Sequence, residues 1–303
     1  MGLETGENSK MFETELVESL IENHLFDEAL PFLDRLLKRY ADPYFIYLKG
    51  KVFFLSGMLK EAIDELSTVI AQDSDFWEAY ELLGEAYRRN KQIELAENYY
   101  FKATSINPRA TQAWLGKGIL ALQKGEYQVA VLSFETYLRI NRNDAETWRL
   151  LGTSYKEMNN FLSAIDAYNE AINLDPTNQE LYGELGDLYL SIGRSDIAKE
   201  KYLQALQVEE KTRPVSKTIY YKLARLYLDE GQNQKAFNVC NELLALERDD
   251  PVATFLSGKA LVKLGQRYEG TVRVKRAYEN QDNPEFKEYL DQLDKEMFGP
   301  KYG

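Results

Sequence analysis

The chain has 303 residues, a prior for about two domains, with 37 Lys and Arg against 49 Asp and Glu for a formal net charge of −12. An acidic surface repels phosphate backbones and argues against nucleic-acid binding, while 44% hydrophobic and 13% aromatic residues exclude wholesale disorder. One cysteine, Cys240, and one histidine, His24, exclude an internal disulfide and a His/Cys zinc site, so no metal or cofactor is expected.

No apolar run approaches the roughly 18 residues of a membrane span. The opening MGLETGENSK carries two glutamates, Glu4 and Glu7, and no apolar core, so no secretory signal or lipid anchor is expected. Gly6 stands where a myristoylation start wants Ser or Thr. A soluble, cytoplasmic protein is the expectation.

In chain order, residues 1–9 read as a tail, followed by a repeat. Gly50, Gly84, Gly118, Gly152 and Gly186 are spaced by 34 residues; Val17 precedes them by 33, Ala224 follows by 38, and Gly258 by a further 34. Twelve residues beyond each, small residues recur: Ala29, Ala62, Ala96, Ala130, Ala164, Ala198, Ala236 and Gly270. Fixed self-similarity of this kind marks a repeat architecture.

Within each unit the apolar spacing predicts two amphipathic helices. Trp148, Leu151, Gly152 and Tyr155 form one stripe; Phe161, Ala164, Ile165, Tyr168 and Ala171 form its partner. A small residue on each helix lets the two backbones approach, and large rings a turn away fill the grooves. Asn107-Pro108 and Asp175-Pro176 close units because a residue before proline avoids helical dihedrals. Helices of about a dozen residues are marginal alone, so the pairs must stack.

Eight units are expected over 10–284. Val17 predicts splayed first helices or a cap, Tyr137 a slight separation of the fourth and fifth units, and Gly270 a weak last unit. The longer gap places extra residues at 209–218, with Pro214 as a break and a candidate bend. Residues 285–298 carry Phe286, Tyr289, Leu290, Leu293 and Met297 on one face and read as a capping helix, with 299–303 a tail.

With these residues in place, the chain resembles the tetratricopeptide repeat family. The fifth unit matches from Trp148, Leu151, Gly152 and Tyr155 through Ala164, Tyr168 and Ala171 to Pro176; the third matches through Tyr80, Leu83, Gly84, Tyr87, Ala96, Tyr100, Ala103 and Pro108. The resemblance implies an all-α, right-handed superhelical solenoid of antiparallel helix pairs. It also implies a non-enzymatic scaffold or adaptor that binds a partner's peptide or amphipathic helix along a concave groove lined by each unit's first helix.

Counting three before and one after each anchor gives candidate groove residues. These are Tyr47 and Lys51 flanked by Tyr44 and Phe54; Glu81 and Glu85; Leu115 and Ile119 with Leu122; Arg149; Tyr221 and Arg225; Phe255 and Lys259. The amino-terminal set is apolar and aromatic, which suits an amphipathic segment; the carboxy-terminal set mixes rings with cations and suits an acidic segment. No three consecutive units supply the lysine and asparagine pattern with which relatives grip chaperone carboxyl termini.

No catalytic constellation emerges. His24 falls in a turn, Cys240 on an apolar stripe where a buried inert thiol is expected, and Asn141-Arg142-Asn143-Asp144 reads as a turn with a helix N-cap rather than a calcium loop. A second reading comes from charge. Residues 1–34 hold nine acids and one base, and residues 259–276 hold six bases and one acid. Such ends predict end-to-end self-association as a structural subunit of a larger machine.

Overall fold

The computed structural model describes residues 2–208 and 216–298, with side chains from 9 to 208 and from 216 to 296. Among the described residues there are seventeen α-helices and no strand. The chain divides into two units, 1–159 and 160–303.

The first unit holds α1 (Gly2–Glu22), α2 (Phe26–Tyr40), α3 (Pro43–Leu55), α4 (Leu59–Gln72), α5 (Trp77–Arg89), α6 (Ile93–Ile106), α7 (Thr111–Lys124), α8 (Tyr127–Leu138) and α9 (Ala145–Glu157). The second holds α10 (Phe161–Leu174), α11 (Gln179–Ser191), α12 (Ser195–Gln207), α13 (Lys217–Asp229), α14 (Asn233–Leu246), α15 (Pro251–Lys263), α16 (Arg267–Asn280) and α17 (Pro284–Phe298). α1 starts at Gly2, so residues read as a tail are helical. The region 209–215, with Pro214, and the tail after 298 lie outside the described residues, as does the Met297 side chain.

The anchors work by fitting a glycine to a ring. A Cβ on Gly84 would stand 2.5 Å from Tyr100, one on Gly118 2.5 Å from Phe134, and one on Gly186 2.6 Å from Tyr202. Each ring lies sixteen residues after its anchor, on the partner helix. Tyr100 is gripped from both sides, because a Cβ on Gly116 would come within 2.2 Å of its ring. At Ala224 the partner is the smaller Cys240, and both are buried.

Three irregular positions have defined contacts. Gly270 is the closest crossing of α15 on α16: a Cβ there would meet the Gly258 carbonyl at 2.7 Å, so glycine is required for contact. Tyr137 acts as a tie. Its hydroxyl donates to Asp144 at 2.9 Å, and Asp144 caps α9 by accepting the Thr147 N–H at 3.1 Å. Val17 is fully buried beside Ile21, Ala29 and Leu33, so the first pair closes on a larger anchor.

A second regularity appears in the turn within each pair. Seven residues after every anchor the backbone is left-handed: glycine at 57, 125, 193, 231 and 265, and His24, Lys91 and Asn159 with φ of 57°, 59° and 57°. A non-glycine residue costs about 1–2 kcal/mol in this conformation. Lys91 is exposed, so Lys91→Gly is expected to raise stability by about 1 kcal/mol, read as a higher urea midpoint; an unchanged or lower midpoint would contradict the strain argument.

Candidate functional site

The two positions counted from each anchor prove to have different work. Three residues before the anchor, side chains reach the start of the next unit's first helix. The Tyr47 ring packs on Phe76, the N-cap of α5, with centroids 5.1 Å apart. Glu81 accepts the Ala113 N–H at 2.8 Å in the first turn of α7, where a helix dipole favours a carboxylate. The Tyr221 hydroxyl donates to Asp250, the N-cap of α15, at 2.6 Å. Phe255 is fully buried and stacks on Phe286 of α17 at 4.4 Å. Phe255 is therefore corrected from groove lining to inter-helix core. Tyr44 joins the same joint, ringed by Tyr47 and Phe76 and donating to Glu18.

One residue after the anchor, identity follows the ring opposite. A buried tyrosine hydroxyl needs a partner. Glu85 accepts from Tyr100 at 2.9 Å, and Asp187 from Tyr202 at 2.7 Å. Where the ring is Phe134, the position is Ile119; where the packing residue is Leu66, it is Lys51. Lys51 and Ile119 are thus released from any such duty.

These positions frame a cleft of about 430 Å³ between α3, α5 and α7 of the first unit. Its apolar wall is Leu82, Leu115 and Ile119, all half-buried, with Tyr47 and the edge of Phe54 beyond. Phe54 is itself 5% exposed and lies beneath the Arg89 guanidinium, 4.2 Å from its ring centre. Tyr100 and Gly116 make the floor.

The polar wall carries Lys51, Glu85, Arg88 and Arg89. Glu85 receives two bonds from Arg88, both 2.7 Å, and one from Arg89 at 3.0 Å. Burial pushes the Glu85 carboxyl up, but Arg88, Arg89 and Tyr100 outweigh it and hold the group below the ordinary range. One turn earlier Glu81 is pushed up by burial, against its backbone bonds to Ala113 and Gln112. Among the described residues Lys51 makes no ion pair, and Glu78 also lines the cleft, ten residues before Arg88 on α5.

The other candidates lie elsewhere. Leu122 is half-buried on α7 outside the cleft, and Arg149 holds Glu146 at 2.6 Å. In the second unit, α17 covers the candidate face: Glu285 takes two bonds from Arg225 at 2.9 and 2.7 Å, and the Lys259 ammonium lies 5.4 Å from the Tyr289 ring centre. Phe286 and Leu293 of α17 are buried.

The basic residues of 259–276 also have partners inside the chain. Lys263 donates to the Leu228 carbonyl at 2.9 Å, Arg267 binds Glu296 at 2.6 Å, and Arg276 binds Asp249 at 2.9 Å. Arg273 bridges Asn241 and Ser257, and Lys275 approaches Glu279 at 3.9 Å.

Chemically reactive groups are few. Burial pushes the Cys240 thiol up to about 12, against the nearby Arg273, so it is inert as a nucleophile. His24 sits in its turn with its ring edge-on to Phe26 at 5.5 Å. Among the described residues no three His, Cys, Asp or Glu side chains converge as metal ligands, and no helix is long and apolar enough to cross a membrane.

Three family models match the chain. One described as TPR repeat matches residues 152–193, one described as Tetratricopeptide repeat matches 103–145 and 184–252, and another of that description matches 78–109. Among curated proteins, TPR repeat-containing protein YpiA of Bacillus subtilis is 22% identical over 78% of this chain and 55% of its own length. Anaphase-promoting complex subunit 7 of Arabidopsis thaliana is 25% identical over 95% of this chain and 50% of its own. The chain thus spans about half the length of these relatives, and 13% of Superkiller protein 3 of Schizosaccharomyces pombe.

Among solved structures, MamA 41-end from Desulfovibrio magneticus RS-1 aligns with a TM-score of 0.52 at 20% identity, covering 57% of this chain and 97% of that one. A likeness at this identity speaks to the fold alone.

Proposed function

The chain belongs to the tetratricopeptide repeat family, and from that premise we propose that it is a non-enzymatic scaffold holding a segment of a partner protein in the α3–α5–α7 cleft. The observation that supports this reading is the half-exposed apolar wall of Leu115 and Ile119 beside a polar rim, on first helices whose inward faces are otherwise engaged. A concave site with a few convergent polar groups is the usual form of a recognition surface.

The cleft, rather than the carboxy-terminal set, is favoured because α17 already lies on Arg225, Phe255 and Lys259. End-to-end self-association is less well supported, since the basic residues expected to drive it are paired within the chain.

The test compares partner capture by wild type and by Leu115→Ala/Ile119→Ala, with proteins identified by mass spectrometry. Removing two apolar contacts of about 1 kcal/mol or more each is expected to cut recovery of specific partners at least tenfold. Equal recovery would remove the cleft from the account.

A further inference from the structure

The charge around the cleft is uneven along its length. At the carboxyl end of α5 one carboxylate, Glu85, faces Arg88 and Arg89, and Lys51 of the neighbouring helix adds a third cation with no ion pair among the described residues. Arg88 and Arg89 keep 30% and 48% of their side chains exposed, so they retain donors for a ligand. Glu78 lies at the other end, about 15 Å from Arg88 along α5 by helix rise, and between them Glu81, one turn before Glu85, is held by the start of α7.

The second unit contains a working example of what such a face accepts. Lys259 and Phe255 of the segment Phe-Leu-Ser-Gly-Lys meet Tyr289 and Phe286 of α17, while Glu285 grips Arg225. The cleft is built on the matching segment Tyr-Leu-Lys-Gly-Lys, which contributes Tyr47 and Lys51. On this segment the chain's own occupants are the rings Phe286 and Tyr289, and the carboxylate just before them, Glu285, goes to Arg225 of α13, so this end of the chain takes up an acidic-aromatic stretch across two first helices.

We infer that the first-unit cleft selects an acidic peptide segment, its carboxylate at Lys51, Arg88 and Arg89 and an adjoining aliphatic or aromatic side chain on Leu115 and Ile119. This rests on the cleft being the binding surface, and it names the chemistry of the partner. Glu78 sets the direction, because an acidic residue at that end is repelled. Charge-assisted bonds to guanidinium and ammonium groups carry the selectivity.

The test uses the full chain and three short fluorescein-labelled peptides with the same Leu and Phe residues and with Glu, Gln or Lys at the remaining variable positions, read by fluorescence anisotropy. The Glu peptide is expected to bind roughly tenfold more tightly than the Gln peptide, and the Lys peptide more weakly still. Added salt should weaken only the Glu peptide's advantage. Lys51→Gln, which breaks no ion pair, is expected to erase much of the preference without altering the circular dichroism spectrum, and Arg88→Gln should act in the same direction.

Equal binding of the Glu and Lys peptides, no effect of Lys51→Gln, or no binding of any peptide overturns the inference. Ile119→Asp separates the two levels of the argument. If it abolishes binding of all three peptides while they bind wild type equally, the cleft stands and the acidic preference falls. If Glu-peptide binding survives Ile119→Asp unchanged, the site is elsewhere and both fall.

Discussion

Gly84→Ala is expected to destabilise the protein by about 1–3 kcal/mol, although alanine normally favours a helix by about 1 kcal/mol over glycine. The new methyl would stand 2.5 Å from the Tyr100 ring. That ring has no room to retreat, because Gly116 of α7 closes on its other side. Tyr100→Ala is expected to cost about 3–5 kcal/mol as a cavity, with the further loss of the bond to Glu85. Combined, the two changes should not add. With the ring gone the methyl at position 84 meets empty space, and its effect reverses toward the helix-propensity gain. Urea unfolding of the four proteins should give a coupling of about 2 kcal/mol or more. Additivity within about 0.5 kcal/mol would show that ring and glycine do not touch as described.

Phe286→Ala is expected to have the second large effect, about 3–5 kcal/mol, and to confine it to one end of the chain. Phe286 is fully buried on Phe255, so truncation leaves a void beneath α17 and loosens its grip on Arg225 and Lys259. In a stack, stability is a sum of neighbour terms. Amide exchange in α15 and α16 should therefore accelerate about a hundredfold or more while α3–α7 exchange as before. Uniform acceleration across all helices would contradict the neighbour-by-neighbour picture, and no change would mean that α17 contributes nothing.

The repeat was legible in the sequence because small residues recurred at fixed spacing, and physics leaves little choice about what a glycine facing Tyr100, Phe134 or Tyr202 is for. The left-handed turn seven residues after each anchor was also open to reading. Five of its eight positions are glycine, but His24, Lys91 and Asn159 broke the visible pattern, since a turn enforced by packing tolerates residues that its backbone disfavours.

The candidate site was legible in part. Lys51, Glu85, Leu115 and Ile119 do share one cleft, with Tyr47, Phe54 and Glu81 at its margins. Arg88 and Arg89, one turn beyond Glu85 on α5, form its cationic end. Phe255 was misassigned because helical periodicity reports which face a residue occupies and not how far the next helix leans over it. Tyr221 and Glu81 show the same limit: each reaches the opening turn of the following first helix. A signal for the distinction lay in the residue after the anchor in the third and sixth units, where Glu85 and Asp187 accept from the Tyr100 and Tyr202 hydroxyls.

The most direct measurement is methyl NMR of the full chain during titration with the Glu-bearing peptide. Shifts are expected at the methyls of Leu82, Leu115 and Ile119, while Leu132 on α8 and Leu203 on α12, exposed at 54% and 38%, stay in place. Movement of Leu132 or Leu203 with the cleft methyls unmoved would contradict the account.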